Sequence, residues 1–230
     1  TSYSTIASRI ASEGNVIVVI MSLEPHRIAG EHVLELKDVK QVIRSVTKLW
    51  KRRCASTSRC DDDGNNDSNV ELEWSFAGHS FGGYGAMRLA SAFVDHRRQR
   101  QNGKSANTKR INNVDDKEEG ENNMKLVLWG MGSNDNYVTD ISDRGDDIDV
   151  LVLLGSNDNI CKFETKKDLQ LFQLKLPPSN VNGGIKVIKG ATHDQFANYP
   201  GLAVINGYPG ITREKQYDQV IKATLDFLRR

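Results

Sequence analysis

Apolar residues recur along this chain in two alternating rhythms. Tyr3, Ile6, Ala7, Ile10 and Ala11 stand at helical spacing and predict an amphipathic helix to about Ser12, with Gly14 as its stop. Residues 15–21 follow as a continuous β-branched run, Val16 to Ile20 at its centre, and predict a strand buried on both faces of a parallel sheet. Val39, Val42, Ile43, Val46, Leu49 and Trp50 form the next helical stripe, which dissolves into Lys51-Arg52-Arg53. Residues 70–77 read as a strand. A helix starting near Gly83 then carries Met87, Leu89, Ala90 and Phe93. Residues 124–129 and 149–154 are further strands, and 163–176 is a helix stopped by Pro177-Pro178. A last strand at 185–188 and a last helix at about 213–228 complete the series.

Strand and helix thus alternate throughout. That order predicts an α/β fold, a mostly parallel sheet with helices on both faces, as a single domain over 1–230. Two stretches interrupt it. Residues 54–69 are rich in Ser, Asp and Asn and read as a loop. Residues 95–123 are almost wholly polar, with Ile111 and Val114 their large apolar residues. They bury too little surface to offset ordering entropy, so a disordered, solvated insertion in a surface loop is expected.

Composition changes this picture little. The hydrophobic content of 38% over 230 residues is low because those two stretches dilute it. A net charge of +1 supplies no basic field for nucleic acid or a membrane surface. No apolar run approaches the ~20 residues that span a bilayer. Cys54, Cys60 and Cys161 form no Cys-x-x-Cys pair, and nearby histidines complete no zinc set. Cys54 and Cys60 flank a polar loop. Two free thiols is the simpler reading, and a disulfide in an oxidising compartment is the alternative.

The strongest chemical signal is Gly78-His79-Ser80-Phe81-Gly82. Gly-x-Ser-x-Gly is weak by itself, but here it lies directly between a strand and a helix. Small residues at Gly78 and Gly82 are expected to permit a very tight turn, with the Ser80 hydroxyl projecting at its tip. The Phe81 backbone N–H, at the helix start, is then aimed at a developing oxyanion. A serine hydroxyl needs an adjacent base. In an open parallel sheet, functional groups gather beyond the carboxyl ends of the strands. Of five histidines, His26 and His32 lie early, His79 is inside the turn and His96 begins the polar stretch. His193 lies just beyond a late strand. Asp158 follows the buried run 150–154 after a short turn and is the carboxylate that would orient His193. Asp135, Asp140 and Asp143 compete for that role. Asp194 is too close in sequence to reach the far ring nitrogen easily. Phe196, Tyr199, Tyr208 and Tyr137 fall in loops near strand ends, where they either line a substrate pocket or pack those loops. No nucleotide-binding glycine pattern is present.

The segments Gly-His-Ser-Phe-Gly-Gly at 78–83, Leu-Gly-Ser-Asn-Asp at 154–158 and Gly-Ala-Thr-His-Asp-Gln-Phe-Ala-Asn-Tyr at 190–199 resemble the α/β-hydrolase superfamily, particularly its dienelactone-hydrolase-like single-domain members. The opening Tyr3 helix and the Glu24-Pro25-His26 loop are similar to the same branch, and the chain order Ser80, Asp158, His193 is the order that fold uses. The resemblance implies a serine hydrolase that cleaves a carboxylic ester or related acyl bond of a small molecule through an acyl-enzyme, with no metal or organic cofactor. It also implies that the chain starts partway into a longer protein. In that family the first strands, and a loop donating a second oxyanion N–H, precede the first helix, here at Tyr3. Two alternatives stand beside it: a catalytically silent binding module on the same fold, and an acyltransferase using the same three residues. Dehalogenation or epoxide opening would place a carboxylate where Ser80 stands.

Overall fold

The computed structural model describes residues 4–14, 16–19, 36–56, 73–107, 123–132, 138–145, 147–163, 165–178, 184–197 and 207–230. Two compact units are distinguished, Leu23–Trp74 and the remainder, Thr1–Ser22 with Ser75–Arg230. In the first, the described residues up to 56 form one helix, α2 (Leu36–Ser56). It is longer at both ends than the apolar stripe predicts.

The larger unit contains α1 (Ser4–Gly14), β1 (Ser75–His79), α3 (Phe81–Asn107), β2 (Met124–Trp129), β3 (Ile148–Gly155), α4 (Lys166–Leu174), β4 (Gly184–Ile188) and α5 (Arg213–Leu228). Short 3₁₀ turns occupy Ser142–Arg144 and Asp194–Phe196. The strands form one parallel sheet in the order β1-β2-β3-β4. Four parallel strands in sequential order, joined by crossovers of one hand, lay their intervening helices on one face. That face holds α3 and α4: Ala86, Met87, Ala90, Val94 and Phe172 pack with Leu126, Leu128, Val150, Val152 and Leu154. The alternate side chains Val127, Trp129, Leu151 and Leu153 point the other way. There they meet Ile6 and Ile10 of α1 and Val220, Ile221 and Leu225 of α5. An α/β architecture with helices on both faces is therefore present.

Polar contacts fix these helices in place. The Thr165 hydroxyl accepts from the Asp168 N–H, and the Asp168 carboxylate accepts from the Thr165 N–H, a reciprocal cap at the start of α4. The Arg9 guanidinium of α1 donates to Asp218 of α5 at 2.7 Å. Among the described residues no helix is long and apolar enough to cross a membrane.

Two expectations are corrected. Residues 16–19 of the expected strand 15–21 form no regular element and join no sheet ladder among the described residues, and Ile17 is 50% exposed. β-branched residues favour extended backbone, but extension becomes a strand only where a partner supplies hydrogen bonds. Four strands, not five, paired in three parallel ladders, are present among the described residues. The polar stretch is also not disordered from residue 95, because α3 continues to Asn107. Helix elongation is cheap once nucleated. Two ion pairs hold this segment to the turn before β3: the Arg98 guanidinium on Asp147, and Arg144 on the Asp95 carboxylate at 2.6 Å. The remainder of that stretch, 108–122, and most of the 54–69 loop lie outside the described residues.

Candidate active site

Because the sheet is parallel, the carboxyl ends of all four strands open on one side. Ser80 leaves β1 there, Asp158 leaves β3 and His193 leaves β4. The Ser80 N–H donates to the Trp129 carbonyl at 3.0 Å, one step beyond the last β1–β2 pair, and so anchors the turn to β2. Ser80 has φ of 53°, which among the described residues no other non-glycine shares in sign. Left-handed backbone at a serine is strained and persists only where its surroundings over-determine it.

The glycines around Ser80 differ from expectation. A Cβ on Gly78 would lie 2.1 Å from the Gly82 carbonyl oxygen, so the turn closes only on glycine there. A Cβ on Gly83 would come 2.9 Å from the Met131 sulfur. At Gly82 a Cβ would meet nothing within 4 Å. The close approaches are thus at Gly78 and Gly83, and Gly82 does not share the steric role expected of it. Phe81 is the first residue of α3, which puts its backbone at the helix amino terminus beside Ser80.

Asp158 and His193 are brought together by bonds between the loops after β3 and β4. The Asn157 N–H donates to the Ala191 carbonyl at 2.9 Å, and the Gly190 N–H to the Ser156 hydroxyl at 2.7 Å. As a result His193 Nδ1 stands 2.9 Å from Asp158 Oδ2. The other carboxylate oxygen, Oδ1, accepts from the N–H groups of Ile160 and Cys161, each at 2.8 Å. Asp158 is 2% exposed and His193 6%. The competing acids are engaged elsewhere. Asp140 accepts from the Ser142 N–H and hydroxyl, Asp143 pairs with Arg144, and Asp194 accepts from the Thr192 hydroxyl. Asp135 lies outside the described residues, as do His26, His32, Tyr137 and Tyr199.

Ser80 is joined to this pair through its neighbour. The His79 ring lies 4.5 Å from the His193 ring, centroid to centroid, and stacks on Phe196 at 5.6 Å. Phe196 is fully buried, so it packs the loop rather than lining an open pocket, and Tyr208 is largely exposed. Among the described residues no hydrogen bond joins the Ser80 hydroxyl to His193.

The two imidazoles are tuned in opposite directions. Burial pushes His79 down to about 3, with the nearby His193 adding to the effect, so His79 stays neutral. Burial also opposes charge on His193, but the hydrogen bond to Asp158 and the adjacent Cys161 thiol outweigh it and raise the ring to about 9. Asp158, Cys161 and His193 each present a donor atom, all within 4.8 Å of one another.

Sequence reasoning did not single out Cys161, Gln216 or Thr192. Gln216 is fully buried on the apolar face of α5 and holds the backbone of Thr192. A polar residue inside the Tyr217, Val220, Ile221, Thr224 stripe was the available signal. Cys161 was legible only as the third residue after Asp158 in a turn. No protein-family model, curated protein or solved structure matches the chain.

Proposed function

We propose that this chain has an α/β-hydrolase fold and is a serine hydrolase acting on carboxylic esters or related acyl bonds. The observation that carries this reading is Ser80, held at positive φ between strand and helix, on the same sheet edge as the buried Asp158–His193 pair. In the reaction, Ser80 Oγ attacks the acyl carbon and its proton passes to His193 Nε2. Asp158 Oδ2 accepts from Nδ1–H, fixes the tautomer and stabilises the imidazolium. The Phe81 N–H at the start of α3 donates to the oxyanion. The leaving alcohol takes the proton from Nε2. Water, deprotonated by the same nitrogen, then releases the acid and restores Ser80.

A binding module without turnover is a second reading. It draws on the lack of a hydrogen bond between Ser80 and His193 among the described residues. Such bonds are often long in unliganded sites and tighten with substrate, so hydrolysis is favoured. Labelling by a fluorophosphonate probe, with Ser80→Ala as control, tests the choice. Labelling of the parent chain and none of the variant supports hydrolysis. A folded, unlabelled parent chain would establish the binding module instead.

A further inference from the structure

One buried cluster is richer than a serine hydrolase requires. A carboxylate oxygen of Asp158, the sulfur of Cys161 and a ring nitrogen of His193 all lie within 4.8 Å of one another, and all three residues are buried. We propose that these three side chains form a Zn²⁺ site, and that the metal silences His193. The silencing rests on the hydrolase reading above, whereas the metal site does not.

The donor chemistry fits. One thiolate, one imidazole and one carboxylate make a mixed N, O, S set of the kind zinc takes, and two anionic ligands offset the charge of a divalent ion. The spacing fits as well. Ligands at about 2.0 Å for nitrogen and oxygen and about 2.3 Å for sulfur stand roughly 3.3–3.6 Å apart around a tetrahedral zinc. His193 Nδ1 and Asp158 Oδ2 are already 2.9 Å apart. The most distant donor pair, at no more than 4.8 Å, needs to close by little more than about 1 Å.

The backbone is set for this. Asp158 and Cys161 share one turn, closed by the Cys161 N–H on Asp158 Oδ1 at 2.8 Å, so two ligands sit on a fixed frame. The third arrives on the β4 loop, tied to that turn through Asn157 and Ala191. Three protein ligands leave a fourth position open to water.

Binding displaces the thiol proton and one ring proton to solvent, so occupancy strengthens as pH rises. Whichever ring nitrogen the metal takes, His193 loses its function as a base. At Nε2 the acceptor for the Ser80 proton is occupied. At Nδ1 the remaining ring proton resides on Nε2. No metal site was legible in the sequence, because its cysteines form no Cys-x-x-Cys pair. The ligands are an Asp-x-x-Cys turn and a histidine from the following loop.

Titration of the full chain with Co²⁺, as a spectroscopic stand-in for Zn²⁺, tests the site directly. Thiolate-to-cobalt charge-transfer absorption is expected to saturate at one equivalent and to be abolished by added Zn²⁺. It is expected to survive a Cys54→Ser/Cys60→Ser double variant and to vanish in Cys161→Ala. Cys161→Ser serves if the alanine variant does not fold by circular dichroism. No such absorption in the folded parent chain, or its persistence without the Cys161 thiol, overturns the site. In parallel, saturating Zn²⁺ is expected to lower fluorophosphonate labelling of Ser80 at least tenfold, with recovery on chelation. Unchanged labelling with the site filled overturns the silencing. If the metal-free chain is not labelled at all, the hydrolase reading fails, and the cobalt spectrum still decides the metal site.

Discussion

Gln216 on α5 holds Thr192 by both of its backbone groups. The Thr192 N–H donates to Oε1 and the Thr192 carbonyl accepts from Nε2, each at 3.2 Å. Thr192 immediately precedes His193, so a helix on one face of the sheet sets the direction from which the imidazole reaches Asp158. Replacing Gln216 by Leu keeps the volume but leaves a buried donor and a buried acceptor without partners. Each such loss costs about 1–3 kcal/mol. We expect a lower urea midpoint at unchanged slope, and Ser80 labelling reduced by roughly 10–100-fold, as for other residues that orient a functional histidine. Labelling at the parent rate in a destabilised Gln216→Leu chain would show that the clamp serves stability alone.

The glycines of the Ser80 turn give a paired prediction. Gly78→Ala forces a carbon to within 2.1 Å of the Gly82 carbonyl oxygen, a contact that only backbone movement relieves. A loss of about 3 kcal/mol or more is expected, from overpacking together with distortion of the turn. Gly82→Ala meets nothing within 4 Å, and because alanine is the better helix former it is expected to be neutral or slightly stabilising, by up to about 1 kcal/mol. Equal destabilisation of the two variants in thermal melts would contradict this assignment of the steric constraint.

The two histidines shape stability against pH from opposite sides. His193, raised in the folded chain from 6.5 to about 9, contributes stability fully below about 6.5, and this is lost as pH rises through about 9. His79, lowered from 6.5 to about 3, remains neutral while the unfolded chain takes up a proton. Stability therefore falls as pH drops from about 6.5 toward 3. Their combined effect is a maximum near pH 6.5, with a slope on each side approaching about 1.4 kcal/mol per pH unit at most. Denaturant midpoints from pH 4 to 9 measure this. His79→Gln should flatten the acid limb and leave the alkaline limb in place. An unchanged acid limb would assign it to other groups.

How much of this was legible in the sequence follows from what each feature depends on. Strands β2 and β3 are mostly buried apolar runs, broken by the half-buried Lys125 and Asp149, and their bounds agree with the hydrophobic pattern to within a residue. The bounds of α5 agree because its apolar stripe ends where the chain ends. The pattern failed where a distant partner decides the outcome. Residues 16–19 have the composition of a buried strand but lack a ladder. Residues 95–107 have the composition of a solvated loop, but ion pairs to Asp147 and Arg144 and an already nucleated helix carry them on. At the candidate site, Ser80, Asp158 and His193 were singled out because Ser80 directly follows a strand and the other two lie in the turns just beyond one. Asp158 and His193 lie in contact beyond the strand ends, and their chemical role is the proposal made above. Cys161 and Gln216 were not readable, since Cys161 matters by its proximity to His193, 32 residues on, and Gln216 by its hydrogen bonds to Thr192, 24 residues back, which no local spacing encodes.

The pH dependence of Ser80 labelling is the sharpest test of the Asp158–His193 pair. The ring accepts a proton from Ser80 only when neutral, and the free chain holds it protonated up to about 9. Labelling is therefore expected to rise about tenfold per pH unit from neutrality and to level off near pH 9. Asp158→Asn removes the main support for the imidazolium, so the midpoint should move down. The rate at the plateau should also fall by about 10³–10⁴-fold, because the amide cannot hold the ring in the required tautomer. Cys161→Ala removes a lesser support, and its midpoint should move down without that fall. A limb that keeps its midpoint in Asp158→Asn would mean that a different carboxylate governs the base, and Asp135 would then be the first to replace.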